Sequence, residues 1–88
     1  MPRTPSAAAV HVGSRIAAER KRRGLTQDDL ASLTRIDSSN IRSYESGRAM
    51  LSIQTLLRIA EALKAEPGEF LTGLTSEMFG GAAKQRAS

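Results

Sequence analysis

Apolar residues recur three and four positions apart through the middle of the chain, and no alternating run of useful β-strand length accompanies them. This spacing has the period of an amphipathic α-helix that buries one face. The clearest such stripe lies in the second half of the chain and consists of Ile53, Leu56, Leu57, Ala60 and Leu63. The pattern therefore predicts an all-α fold.

Five helices are predicted when residues that start and stop helices are added to this pattern. They cover about 10–23, 27–34, 38–45, 53–63 and 67–71. Thr26 and Asp29 have capping-box spacing before the second helix, and Asp37 is an N-cap residue for the third. Other residues expected to face the core are Val12, Ile16, Leu30, Leu33, Ile41 and Tyr44.

The two ends of the chain lack this periodicity. Residues 1–8 carry Pro and Ser, and residues 80–88 carry Gly-Gly, Ala-Ala and polar residues. Such composition is typical of disordered segments, so a lead-in (1–8) and a tail (80–88) are expected to flank one domain at 9–79. A chain of 88 residues has room for one small core.

The residue types present argue against catalysis. The chain has no Cys, which excludes disulfides, thiol nucleophiles and Cys-ligated metals. Its one histidine, His11, provides no second His for a metal pair. No catalytic residue, no metal and no cofactor is predicted, and the chain is not expected to be an enzyme.

Positive charge is concentrated near the N-terminus. The net charge is +4, but residues 1–25 carry six cations against one anion, whereas residues 26–73 carry five against seven. A basic end favours a polyanionic partner, either nucleic acid or an anionic membrane surface. The run Lys21-Arg22-Arg23 is interpreted first as a solvated helix end that complements the helix dipole. No apolar stretch approaches 18 residues, so no membrane span is predicted and a cytoplasmic location is expected.

Predicted helices two and three are short and joined by about three residues, as in a helix-turn-helix. The second opens with Leu-Thr-Gln-Asp-Asp-Leu-Ala, where Ala31 is small enough for close helix approach, and the third closes with Glu-Ser-Gly-Arg. With the apolar stripe of the fourth helix, this register over about residues 12–72 resembles the lambda-repressor and Cro-like (XRE-type) helix-turn-helix family of bacterial and phage regulators. The resemblance implies a five-helix DNA-binding domain in which helices two and three form the motif.

The resemblance also implies roles for the polar residues of this motif. Gln27 corresponds to a residue that contacts phosphate and supports the recognition helix, and the serines of helix three correspond to readers of base edges. Asn40 faces phosphate or base, Arg42 takes guanine or phosphate, and Arg48 holds phosphate. The expected DNA-binding residues are Gln27, Ser38, Ser39, Asn40, Arg42, Ser43 and Arg48.

Two further features follow from the same resemblance. Arg20 and Glu45 match a structural ion pair between helix one and the end of helix three. Arg35 stands at a turn position that is commonly Gly in the family. If this residue is left-handed, its side chain costs about 1 kcal/mol.

Five large apolar residues near the end of the domain either close the core or form a dimer interface. One short helix cannot bury all of them, so a homodimer surface is expected. These residues are Phe70, Leu71, Leu74, Met78 and Phe79.

The leading hypothesis is a sequence-specific regulator that binds double-stranded DNA as a homodimer. Each third helix would enter the major groove at one half of a pseudo-palindromic operator. RNA polymerase or a toxin is a candidate further partner, since phage-type repressors, restriction-modification controllers and antitoxins all use such a domain. The alternative is an antitoxin or other protein-interaction module with DNA binding secondary or lost, which the net charge of −2 over residues 26–73 favours.

Overall fold

The computed structural model of the chain describes residues 6–80. These residues form four α-helices followed by two short 3₁₀ helices, and they contain no β-strand, so the predicted all-α fold is confirmed. Within this part of the chain no helix is long and apolar enough to cross a bilayer. The elements are α1 (Ala7–Arg22), α2 (Gln27–Thr34), α3 (Ser38–Ser46), α4 (Ile53–Leu63) and 3₁₀ helices at Pro67–Leu71 and Ser76–Phe79.

The expected fifth α-helix is instead the first 3₁₀ helix. Pro67 occupies its first turn, and the chain turns away again after Leu71 because Gly73 is left-handed, with φ of +84°. The backbone hydrogen bonds here join residues three apart, from the Glu69 amide to the Glu66 carbonyl at 2.9 Å and from the Thr72 amide to the Glu69 carbonyl at 3.4 Å, as in a 3₁₀ helix.

The first helix begins earlier than the sequence pattern predicts. Ser6 caps α1, accepting a hydrogen bond from the Ala9 amide at 3.0 Å, and Ala8 and Ala9 are buried. The expected lead-in is therefore wrong for residues 7 and 8, because a serine cap and small buried side chains extend the helix. Residues 1–5 and 81–88, where the rest of the lead-in and nearly all of the tail are predicted, lie outside the described residues.

The predicted capping box at α2 is present. The Thr26 hydroxyl accepts from the Asp29 amide at 3.0 Å, and the Asp29 carboxylate accepts from the Thr26 amide at 2.9 Å. The bond from the Thr26 backbone lowers the pKa of Asp29 below its ordinary value. These two reciprocal hydrogen bonds fix the first turn of α2, where the helix-turn-helix begins.

One hydrophobic core joins the four α-helices and the first 3₁₀ helix, and three of the five predicted residues of α4, Leu56, Ala60 and Leu63, are buried in it. Ile53 and Leu57 are exposed, and Ile59 is buried in their place, since the buried face is offset by part of a turn. Leu33 of α2, also predicted to face inward, is 58% exposed. The largest fully buried side chains are Val12, Ile16, Leu30, Ile41, Ile59, Leu63 and Phe70.

Helix α1 crosses the end of α3 at backbone contact. A Cβ added to Gly13 would stand 2.1 Å from the Tyr44 carbonyl oxygen and 2.9 Å from that of Glu45. Only a residue without a side chain fits between these two helices. This contact sets how far α3 projects from the body of the domain.

Candidate nucleic-acid interface

The turn between α2 and α3 is built around the buried Thr34. Its hydroxyl donates to the Leu30 carbonyl at 2.8 Å and accepts from the Ile36 amide at 3.2 Å. Arg35 then adopts the left-handed conformation, with φ of 62° and ψ of 31°. The condition stated for position 35 is therefore met, and an arginine occupies a left-handed position.

Arg58 of α4 is a positioning residue that sequence reasoning missed. One of its guanidinium nitrogens donates to the Thr34 carbonyl oxygen, which α2 leaves without a helical partner at its C-terminal end. The bond ties α4 to the turn that orients α3. Arg58 lies 24 residues from Thr34 in the sequence, so a local pattern of residues does not predict this hydrogen bond.

The outer face of α3 is polar and uncovered within the described structure. Ser39, Asn40 and Arg42 are exposed, while Ser38 and Ser43 are partly buried beside them. Residues four apart share a helix face, so Ser38 neighbours Arg42 and Ser39 neighbours Ser43. Ile41 points the other way, into the core, and anchors the helix. The structure therefore brings five of the seven expected DNA-binding residues onto one helix.

The other two expected contacts flank this helix. Arg48 is exposed just after Gly47, the left-handed residue that ends α3. Gln27 is partly buried at the start of α2, where its side-chain amide donates to Glu45 Oε1 at 3.0 Å. Gln27 thus contacts the end of α3 directly.

Glu45 is the centre of a buried polar network. Arg20 donates to both of its carboxylate oxygens, at 2.7 Å from Nε and 2.9 Å from Nη2, and also to the Leu25 carbonyl at 2.7 Å. The two side chains are 9% and 5% exposed. The hydrogen bonds from Arg20 to Glu45 raise the pKa of the guanidinium further above its ordinary value. The network joins α1, the loop before α2, Gln27 and the end of α3.

Asp37 occupies the N-cap position of α3 but does not cap it in the expected way. Its carboxylate makes no bond to a backbone amide of the helix. Oδ2 instead accepts a hydrogen bond from the Ser39 hydroxyl at 2.9 Å. The predicted side-chain cap is therefore wrong, because Ser39 takes the carboxylate.

The basic end of α1 is largely engaged with the protein itself. Arg22 and Arg23 both pair with Glu19, at 2.8 and 3.1 Å, and Arg23 also donates to the Lys64 carbonyl at 3.2 Å. The hydrogen bond from Arg22 is the largest effect lowering the pKa of Glu19. These contacts fit the structural interpretation of this run.

A shallow apolar groove lies where the C-terminal segment meets the start of α4. Of the expected dimer residues, Phe70 is only 1% exposed and belongs to the core, because the first 3₁₀ helix folds it inward; that assignment is wrong. Met78 is partly buried and is not one of the residues that line the groove. The groove has a volume of about 400 Å³ and is lined by Val12, Met50, Leu51, Ser52, Ile53, Leu56, Leu71, Leu74 and Phe79.

Sequence reasoning missed Met50 and Ile53 as exposed members of this surface. Ile53 is 69% exposed and is the most exposed large apolar side chain described. The apolar stripe of α4 contained the signal, since it is wider than one buried face requires.

Comparisons with known proteins agree with this geometry. A family model described as "Helix-turn-helix domain" matches residues 13–75. An uncharacterized HTH-type transcriptional regulator of Sinorhizobium fredii, y4wC, is 32% identical over 68 residues, which are 77% of this chain and 48% of that protein. The chain thus spans about half the length of the curated relative it matches.

Solved structures of three bacterial proteins have the same arrangement of helices. The restriction-modification controller protein C.AhdI from Aeromonas hydrophila is 35% identical with a TM-score of 0.69, over 70% of this chain and 94% of that chain. The clp gene regulator ClgR from C. glutamicum is 25% identical with a TM-score of 0.71, over 74% and 84%. An HTH_3 family transcriptional regulator from Vibrio cholerae is 28% identical with a TM-score of 0.73, over 81% and 40%.

Proposed function

The chain belongs to the helix-turn-helix domain family, whose relatives described above are regulators, and from this premise we propose that it is a sequence-specific regulator of transcription that inserts α3 into the major groove of double-stranded DNA. The observation that carries the proposal is the uncovered polar face of α3, presented by a turn that Thr34 and Arg58 hold in place. A helix with short polar side chains fits the groove, which is about 12 Å wide.

The contacts divide into base readers and phosphate anchors. Hydroxyl groups and the Asn40 amide on α3 meet base edges, and Arg42 takes either guanine or phosphate. Arg48 and the start of α2 at Gln27 meet the backbone on either side of the groove. The base readers proposed on α3 besides Asn40 and Arg42 are Ser38, Ser39 and Ser43.

The protein acts as a homodimer through the apolar groove. Exposed apolar side chains from α4 and both 3₁₀ helices meet there, and a second copy would remove them from water. A two-fold dimer places its α3 helices about 34 Å apart on one face of the duplex, which requires a pseudo-palindromic operator. The interface residues are Leu71, Leu74, Met78 and Phe79, now joined by Met50 and Ile53 and without Phe70.

Regulation follows from occupancy of the operator in the cytoplasm, at the nucleoid. Covering a promoter represses transcription, and an adjacent site allows contact with RNA polymerase. The similarity to a restriction-modification controller protein, 94% of which the match covers, favours a regulator of this kind.

DNA binding is tested by titrating duplex at several salt concentrations. Each phosphate contact adds about −0.9 to the slope of log K against log salt. Arg48 from two protomers therefore gives a slope of about −2, which becomes about −4 where Arg42 also takes phosphate. Arg48→Ala should reduce its magnitude by about 2 in the dimer. The matched control, Lys21→Ala, removes one exposed cation from the end of α1 and should leave the slope unchanged.

Dimerisation is tested by sedimentation of the free protein. Phe79→Ser and Ile53→Ser should shift the equilibrium towards monomer, because both side chains are exposed in the groove. Leu33→Ser removes an exposed leucine that does not line the groove and is the control. Equal shifts in all three variants would contradict the assignment of the interface.

The second candidate is an antitoxin or other protein-interaction module on the same fold. The net charge of −2 over residues 26–73 favours it, since the recognition face lacks a strong basic field. A salt slope near zero against random and selected duplexes, with a toxin-like protein bound instead, would replace the first proposal with this one.

A further inference from the structure

Ser39 differs from Ser38 and Ser43, the other two serines of α3 proposed to read bases, in what its hydroxyl contacts. Its Oγ donates to Asp37 Oδ2 at 2.9 Å, and both side chains are exposed. Among the described residues, Ser39 is the one serine of α3 whose hydroxyl is bonded to a carboxylate. The bond to Asp37 thus distinguishes Ser39 from the two other serines proposed to read bases.

The direction of this hydrogen bond is dictated by the chemistry of the two groups. An ionised carboxylate has lone pairs but no hydrogen to give, so the hydroxyl must be the donor. A serine hydroxyl has one hydrogen and two lone pairs. Once the hydrogen is held by Asp37, Ser39 presents only lone pairs to a partner.

Asp37 is also free to hold this hydrogen. An aspartate at an N-cap ordinarily accepts from an amide of the next turn. Here the backbone carbonyl of Asp37 accepts from the Asn40 amide at 2.9 Å, while its side chain makes no cap bond and remains with Ser39.

We propose that Asp37 converts Ser39 into a hydrogen-bond acceptor, so that position 39 selects an amino-bearing base, adenine or cytosine, on the strand it faces. The inference rests on the proposed insertion of α3 into the major groove. In that groove adenine N6 and cytosine N4 are donors, whereas guanine and thymine present only acceptors. An unrestrained serine hydroxyl can rotate and either donate to a base acceptor or accept from a base amino group. A restrained one presents its lone pairs to guanine O6 or thymine O4, so no hydrogen bond forms with these bases.

Ser39 would therefore determine which strand carries the amino-bearing base, and not which base pair is present. Every base pair carries one amino group in the major groove, on adenine or on cytosine. Asp37 therefore orients the pair under Ser39 without distinguishing A·T from C·G. Ser43, with no such restraint, should tolerate all four bases better.

The test is selection of duplexes from a random library by the full chain, comparing wild type, Ser39→Ala and Asp37→Ala. The position read by Ser39 is the one whose preference disappears in Ser39→Ala. Wild type should enrich adenine and cytosine over guanine and thymine there by about three- to tenfold, the factor that one hydrogen bond supplies. Asp37→Ala should bring that ratio to within about twofold and leave the other positions unchanged.

The outcomes separate the inference from the proposed function. Loss of a negative charge in Asp37→Ala should tighten binding to all sequences, so the base ratio and not the overall affinity is the readout. Circular dichroism checks that both variants remain folded. An unaltered ratio in Asp37→Ala, or enrichment of guanine or thymine by wild type at this position, overturns the inference alone. Failure of the wild-type chain to retain any duplex overturns the proposed function.

Discussion

Removing the Arg20 guanidinium should destabilise the domain more than any other loss of a single positive charge described here. Arg20→Ala deletes two hydrogen bonds to Glu45 and one to the Leu25 carbonyl. The Glu45 carboxylate, whose side chain is 5% exposed, keeps only the bond from Gln27. A buried carboxylate without its cation is the costly product of this substitution.

The expected loss is about 3 to 5 kcal/mol, the range for breaking a buried ion pair by removing one partner. A domain of this size has a free energy of unfolding of roughly 4 to 11 kcal/mol, so the loss is a large part of the total. Since about 1 kcal/mol moves the Tm of a small domain by 4 to 8 °C, a fall of at least about 12 °C is expected.

Thermal unfolding followed by circular dichroism measures this effect. Lys21→Ala, the next residue on α1 and exposed, is the matched control and should change the Tm by little. Replacing both partners, as in Arg20→Met with Glu45→Leu, should recover much of the loss because no unpaired charge remains. Equal Tm values for Arg20→Ala and Lys21→Ala would show that Arg20 does not stabilise the domain through Glu45.

Three further substitutions probe the parts that position α3. Gly13→Ala should lose about 1 to 3 kcal/mol of stability in urea unfolding, since the new Cβ meets two α3 carbonyl oxygens; Gly68→Ala, with open space around its Cβ, is the control, and equal losses would contradict the close crossing. Arg35→Gly should be neutral or should stabilise the domain by up to about 1 kcal/mol. Glycine relieves the strain of a left-handed arginine, but it also raises the conformational entropy of the unfolded chain. A large drop in Tm would show that the turn depends on the arginine side chain. The Asp29 carboxyl, whose pKa is lowered on folding, stabilises the folded chain above its unfolded-state pKa and loses that contribution as the pH falls below about 4. Between pH 5 and pH 2.5 the Tm should therefore fall more steeply for wild type than for Asp29→Asn. Parallel curves would show that the Asp29 carboxylate does not stabilise the folded chain.

Local signals predicted the elements of this fold well. The Thr26 and Asp29 spacing located the start of α2, and Gly47 marks the end of α3 where the pattern placed a stop. Each depends on bonds within one turn, which the order of residues encodes directly. The start of α1 was missed because Ser6 gives a weaker signal than the prolines before it.

Features that depend on tertiary packing were the ones that could not be predicted. Periodicity says that α4 has an apolar face but not which edge of it turns inward, so Ile53 was assigned to the core although it is exposed. Phe70 was assigned outward for the converse reason, as the direction of a short 3₁₀ helix follows from what it packs against. The bond from Arg58 to Thr34 joins separate helices and has no sequence signature.

Within the candidate interface, residue types were predictable and hydrogen-bond directions were not. The polar run from Ser38 to Ser43 marks the surface, but nothing in its order shows that Asp37 engages one serine and leaves the others. Such choices depend on rotamers, which only the folded backbone selects.

The carboxylate of Glu45 has a consequence for how this protein can evolve. Because it accepts hydrogen bonds from both Arg20 and Gln27, a substitution at position 27, a phosphate contact in the proposed function, also disturbs the joint between the first and third helices. Under the proposed function, thermal stability and affinity for DNA are therefore coupled at this position. New sequence preferences, if α3 reads bases as proposed, should arise more readily at its exposed residues Ser39, Asn40 and Arg42, which form no hydrogen bond or ion pair with the Glu45 carboxylate in the described structure.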